Sequence, residues 1–234
     1  MTQPVIVAIH QPNYLPWLGY FDKIARADIF IFLDDVQYSK NSYCNRVRIL
    51  RECQTRWMTV PVSFTFGDPI DEVQPAQADW AHRHLDMLKD FYRHSQCFAP
   101  VCRDLDEMYS NMPTAGLAAI NRYFVELIAE KLELSCRYMV SSEFNVGDAR
   151  GDDRLIQIVE TVAPGGKYLS GAGGAKYQDE AKFKSGGLEL VYTEFENQVY
   201  EQNCAAFVPG MSVIDAVFCI GWEATAGLIS GQSA

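Results

Sequence analysis

Apolar and polar positions follow two rhythms along this chain, and the changes between them divide it into elements. Val5 to Ile9 is an unbroken apolar and β-branched run, VIVAI, which predicts a buried strand. Trp17 to Ala27 predicts a helix, with Leu18, Phe21, Ile24 and Ala25 on one face and Asp22, Lys23 and Arg26 on the other. The run IFIFL from Ile29 predicts a second strand, ending at Asp34-Asp35. Strand, loop, helix and strand in this order make a βαβ unit, with a right-handed crossover and parallel strands. Both strand C-termini then lie at one sheet edge. His10 and the Asp34-Asp35 pair are expected to face one another there across a crevice.

Arg56 to Phe66, RWMTVPVSFTF, alternates as a strand does, and Pro61 makes it an edge strand or marks a bulge. From about residue 79 to 133 the spacing turns helical, which predicts a helical insert or lid. The α/β rhythm then returns. Cys136 to Val140 predicts a strand, Asp152-Asp153 the cap of a helix, and Lys167 to Leu169 a short strand. A glycine-rich turn, Ser170 to Gly174, leads into a helix over Ala175 to Lys184 and a strand over Leu188 to Tyr192. Ser212 caps a last helix, which carries Asp215 and is expected to end at Gly221. The fold class that follows is α/β. It is a single domain, residues 1–234, with a Rossmann-like parallel sheet and a helical insert.

Composition narrows the function classes. The formal net charge of -10 and pI near 4.8 argue against non-specific nucleic-acid binding, which needs a basic face. No apolar run approaches the length of a membrane span, and MTQPVIVAIH lacks the features of a signal peptide, so a cytoplasmic protein is expected. The seven cysteines are odd in number and form no CxxC pair. This argues against a disulfide scaffold and against a thiolate metal site. His82, His84 and His94 lack helical metal-site spacing and read as surface or interface residues, so no histidine metal site is expected.

Candidate chemistry concentrates at the strand ends. After His10, the loop QPNYLPWLGY is stiffened by Pro12 and Pro16 and lined with aromatics, which suits the wall of a ligand pocket. Gln11, Asn13, Tyr14 and Tyr20 are its candidate substrate contacts. His10 is placed to act as a general base or to contact a phosphate. Asp34 and Asp35 are candidates to orient His10 or to hold a divalent cation beside a nucleotide. The segment Val36 to Leu50 reads as an anion-binding loop, with Tyr38, Lys40, Asn45 and Arg46 as contacts and Lys40 near the chemistry. A Cys44–His10 pair for acyl transfer is a further alternative. The turn Ser170, Gly171, Ala172, Gly173, Gly174, with Lys176 behind it, matches neither a Walker loop nor GxGxxG. It can still bring backbone N–H groups to a phosphate or carboxylate.

Three blocks, AIHQPNYLPWLGYFDKIARADIFIFLDDVQYSKNSYCNRVRI, YLSGAGGAKYQDE and FVPGMSVIDAVFCIG, resemble the WbqC-like family of bacterial proteins across nearly the full chain. That resemblance implies a role in O-antigen or other surface-polysaccharide synthesis. The reaction it implies is transfer of glycine or a related acyl group to the amino group of a nucleotide- or lipid-linked sugar. The βαβ start is also similar to HIGH-type nucleotidyltransferases such as pantothenate synthetase. This second similarity implies ATP with Mg2+ as the cofactor for activating an amino acid. Here Gly19-Tyr20 stands where a Gly-His is expected, and no KMSKS-like motif follows. The expected partners are the amino sugar and the amino acid donor, with a tRNA-borne donor and a homodimer left open. A non-catalytic nucleotide-sugar or partner-binding module is the alternative.

Overall fold

The computed structural model describes residues 3–230. It opens with β1 (Ile6–His10), α1 (Leu18–Ala25) and β2 (Ile29–Phe32). A hairpin of β3 (Arg46–Arg51) and β4 (Gln54–Thr59) follows, then the short pair β5 (Val62–Ser63) and β6 (Gln74–Pro75). Three helices come next: α2 (Trp80–Phe91), α3 (Phe98–Ser110) and α4 (Leu117–Lys131). The chain closes with β7 (Arg137–Val140), α5 (Gly151–Val162), β8 (Lys167–Ser170), α6 (Glu180–Ser185), β9 (Glu189–Tyr192) and α7 (Val213–Ser230).

β1 lies at the centre of a five-stranded sheet of order β7-β2-β1-β8-β9. Every pairing in it is parallel, with Ile9 opposite Ile31 and Ala8 opposite Leu169. The α/β, Rossmann-like fold expected from the apolar rhythm is therefore the observed one. Successive residues of β1 and β2 enter different cores, as the two-residue period of a strand requires. Ala8, Phe30 and Phe32 pack with α1, the three middle helices and α7. Val7, Ile9, Ile29 and Ile31 pack with Ile158 and Val159 of α5 and Phe183 of α6.

Several details differ from the expectations. Arg46 to Arg51 is a strand, where an irregular loop was expected. It is closed by a two-residue turn in which Glu52 and Cys53 both take positive φ, 50° and 61°. The strand expected over Arg56 to Phe66 is split at Val60-Pro61, because proline has no N–H for a ladder. Cys53 and Cys204 form a disulfide with Cα atoms 5.5 Å apart, contrary to the expectation drawn from the odd cysteine count. The helix that starts at Val213 ends at Gly221 as expected, since a φ of 83° is non-helical, but a second helical stretch follows it at once within α7. His84 is buried in the core, whereas a surface or interface position was expected. Asp22 and Lys23, placed on the face opposite the apolar stripe of α1, are buried as well. Among the described residues, no helix is long and apolar enough to cross a membrane.

Candidate functional site

From β1 the chain runs to β2 and β7 on one side of the sheet, and β8 and β9 fill the other. The order thus reverses between β1 and β8. At such a point the loops leaving the strand C-termini diverge and open a crevice, the usual ligand position in open α/β sheets. A cavity of about 620 Å3 lies there. The end of β1 supplies His10 and Gln11, and α1 supplies Gly19, Tyr20 and Lys23. The turn after β8 supplies Ser170 to Gly174, and the segment after β9 supplies Thr193 and Phe195.

The loop after β1 divides between cavity and core. Trp17 faces the cavity and meets Phe195 edge-on, with ring centroids 5.2 Å apart. Its indole lies over Gly19, where a Cβ would come within 2.4 Å of the ring. Asn13, Tyr14 and Leu15 turn inward. Asn121 fastens them by donating to the Pro12 and Cys44 carbonyls at 2.9 and 2.7 Å. Tyr14 belongs to a buried chain of hydrogen bonds. The Thr59 carbonyl, 3.1 Å from His84 Nε2, can only accept, so that nitrogen carries the proton. His84 Nδ1 then accepts from Tyr14 at 2.9 Å, and Tyr14 accepts from Tyr109 at 2.5 Å. Tyr14 is therefore a core residue in this structure and does not line the cavity.

His10 Nδ1 lies 3.0 Å from the Gln11 carbonyl, which also accepts from the Tyr20 hydroxyl at 3.0 Å. A carbonyl fixes the proton on Nδ1 and leaves the lone pair on Nε2. Burial, with the nearby Lys23 charge, lowers the His10 pKa to about 4, so the ring is neutral near pH 7. Lys23 itself donates to the Ile9 carbonyl at 2.8 Å, and burial lowers its pKa to about 7. Sequence reasoning missed Lys23 as a site residue, because helical spacing alone put it on an outer face.

The glycine turn has two kinds of glycine. A Cβ on Gly174 would meet Ser170 Oγ at 2.3 Å and Gln178 Oε1 at 2.4 Å, so packing accounts for that residue. Gly171 and Gly173 have no heavy atom within 4 Å of a built Cβ, and neither needs a left-handed backbone. Their missing side chains leave open space in the cavity. Lys176 is exposed and does not line it.

The other candidates lie elsewhere. The crevice expected between His10 and the acidic pair is not formed, since neither Asp34 nor Asp35 lines the β1–β8 cavity. Asp34 accepts from Ser142 N at 3.0 Å and Ser142 Oγ at 2.9 Å, with Ser141 Oγ at 3.1 Å. Asp35 is bonded to Ser141 at 2.5 Å and ion-paired with Arg154. The two carboxylates thus tie the end of β2 to the end of β7 and to α5. Lys40 is exposed, Tyr38 is buried edge-on to Phe64, and Asn45 donates to the Val60 carbonyl at 3.1 Å. The Arg46 guanidinium stacks 4.1 Å over Trp57. Burial pushes the Cys44 thiol up to about 11, which disfavours the thiolate an acyl-transfer nucleophile needs. Asp215 accepts from Tyr92, Tyr200 and Gln202 at 2.7, 2.6 and 2.8 Å, away from the cavity.

Among the described residues no Asp or Glu lines the cavity, although the chain carries a formal charge of -10. Among the described residues, the ionisable nitrogens that line it are those of His10 and Lys23. This lining fits the anionic part of a nucleotide. The acidic pair does not fit a Mg2+ ion shared with such a ligand, because its oxygens already serve Ser141, Ser142 and Arg154. The arrangement can bind an anion, exclude acidic groups and present a neutral imidazole.

A parallel sheet with a ligand-sized crevice at its reversal point places the protein among Rossmann-like α/β folds. The chain belongs to the WbqC-like protein family, whose model matches residues 11–226. It is similar to uncharacterized protein Rv1507c of Mycobacterium tuberculosis, at 33% identity over 221 residues that cover 93% of this chain and 95% of the relative. No solved structure matches the chain.

Proposed function

We propose that the β1–β8 cavity binds a nucleotide-linked amino sugar, and that the protein forms an amide on the sugar's amino group from a glycyl or related acyl donor. Membership of the WbqC-like family suggests a role in surface-polysaccharide biosynthesis. The observation that carries the ligand class is the cavity itself. It holds about 620 Å3 at the sheet's reversal point, with basic nitrogens, bare glycines and no carboxylate. Trp17 and Phe195 at its wall offer flat apolar surfaces for a base or sugar ring. In this reading His10 Nε2 accepts a hydrogen bond from the ligand, and Gln11 and Tyr20 hold the ring in place.

A second reading, a binding module for nucleotide sugars without turnover, is favoured by one specific observation. His10, with a pKa near 4, is a weak base at neutral pH. Melting shifts with UDP- and dTDP-linked amino sugars, with their neutral nucleosides and with ATP address the ligand class. Mass spectrometry of the sugar after incubation with glycine and ATP, or with glycyl-tRNA, addresses turnover. An N-acylated sugar supports the enzyme, whereas nucleotide-sugar binding without product under either donor supports the module. No shift with any nucleotide contradicts both.

A further inference from the structure

Lys23 is a buried amine with no carboxylate partner among the described residues. It is 4% exposed and sits on the second turn of α1. Its one protein partner among the described residues is the Ile9 carbonyl at 2.8 Å, and it lines the β1–β8 cavity. The neighbouring acid, Asp22, is turned away into an i,i+4 pair with Arg26. The titratable groups in the same cavity are His10 from β1, Tyr20 from α1, Tyr168 from β8 and Tyr177 after the glycine turn. None of these is a carboxylate, and burial holds the Tyr20 and Tyr168 hydroxyls above their ordinary pKa. An ammonium withdrawn from water without a negative partner is costly, so such groups are usually paired or neutral.

We propose that Lys23 anchors the anionic group, a phosphate or a carboxylate, of the ligand that fills this cavity, and that the ligand binds with uptake of a proton. The proposal rests on reading the cavity as a ligand site. The free amine takes one proton from solvent and becomes the ammonium of an ion pair, and no covalent bond changes. Burial without a negative partner disfavours the charged form of this amine, and an arriving anion raises its protonation. Gly171 and Gly173 leave space for the rest of the ligand in the same cavity.

Calorimetric titration of the full chain at pH 7.5 with UDP, pyrophosphate and acetate tests this, with uridine as the neutral control. Each titration is run in buffers of low and high ionisation enthalpy. At least one anion should bind tenfold or more tightly than uridine, with a buffer-dependent heat that reports fractional proton uptake. UDP and pyrophosphate binding without acetate binding identifies a phosphate, and the reverse identifies a carboxylate. Lys23→Met should weaken that anion at least tenfold and abolish the buffer dependence without lowering the melting temperature. Lys23→Arg, always charged, should keep the affinity and lose the buffer dependence. The proposal is overturned by an anion that binds Lys23→Met as tightly as wild type, by wild-type binding without proton uptake, or by failure of all three anions to bind. Anion binding without amide product sinks only the enzymatic reading. An unchanged KM for the sugar in Lys23→Met sinks only the role of Lys23.

Discussion

Gly171 and Gly173 are glycines that the fold itself does not require. No left-handed φ and no close neighbour demands them. Gly171→Ala and Gly173→Ala should therefore leave the melting temperature within about 2 °C of wild type, as surface changes of a few tenths of a kcal/mol do. Each should weaken ligand binding in the cavity about tenfold or more by taking its space. A large loss of stability with intact binding would show that the turn serves packing alone. His84, in the core, and His10, half-buried at the cavity, make a second residue-scale prediction. His10 and His84 are both lowered to about 4, chiefly by burial, while the unfolded chain protonates them near 6.5. The unfolded state then binds more protons between those values, so their contribution to stability is present above pH 6.5 and is lost as pH falls towards 4. Asp215, raised by burial, opposes part of that loss. Imidazole 15N shifts at pH 6 should show both rings neutral, with the proton on Nδ1 of His10 and on Nε2 of His84. Titration of either ring near 6.5 would refute the assignment. His10 and the glycine turn were legible in the sequence because strand ends and glycine-rich turns carry local signals. Lys23 was not, because periodicity cannot tell a solvated helix face from one that lines a cavity. Tyr14 shows the converse, since its aromatic loop signalled a pocket wall while its side chain went to the core.

At the scale of elements, β1, α1 and β2 were readable because unbroken apolar runs and a helical stripe are strong signals. The β3–β4 hairpin was not, because its two-residue turn is Glu52-Cys53, with positive φ at both residues and neither asparagine nor glycine to announce it. That turn also carries half of the Cys53–Cys204 disulfide, which joins residues 151 apart. The link fastens the irregular stretch between β9 and α7, whose first residues, Thr193 and Phe195, line the cavity. Tyr200 and Gln202 fasten the same stretch to the buried Asp215. Cys53→Ser, compared with oxidised wild type, should lose about 2–4 kcal/mol in denaturant unfolding, in the range for a link that closes a long loop. It should also loosen ligand binding through Phe195. Equal stability of the variant and of oxidised and reduced wild type would mean that the bond contributes nothing to the fold.

At the scale of the whole molecule, strand order decides where chemistry can happen. The sequence predicted parallel strands and a shared edge, and both are present. It could not tell which neighbour of β1 opens the crevice, since both β2 and β8 run beside it. The acidic pair follows β2 and is consumed in binding β7 and α5, whereas the glycine turn follows β8 and stays open. A protein of net charge -10 thus keeps its carboxylates out of the cavity, which favours anions there. The central claim is that this one cavity is the ligand site, and the most direct measurement is a crystal structure of the full chain with a UDP-linked amino sugar. The account predicts the diphosphate in contact with Lys23, and the sugar or base beside Gly171 and Gly173 under Trp17 and Phe195. Density for the nucleotide elsewhere, such as beside the Asp35–Arg154 ion pair, with the β1–β8 cavity left to solvent, would contradict it.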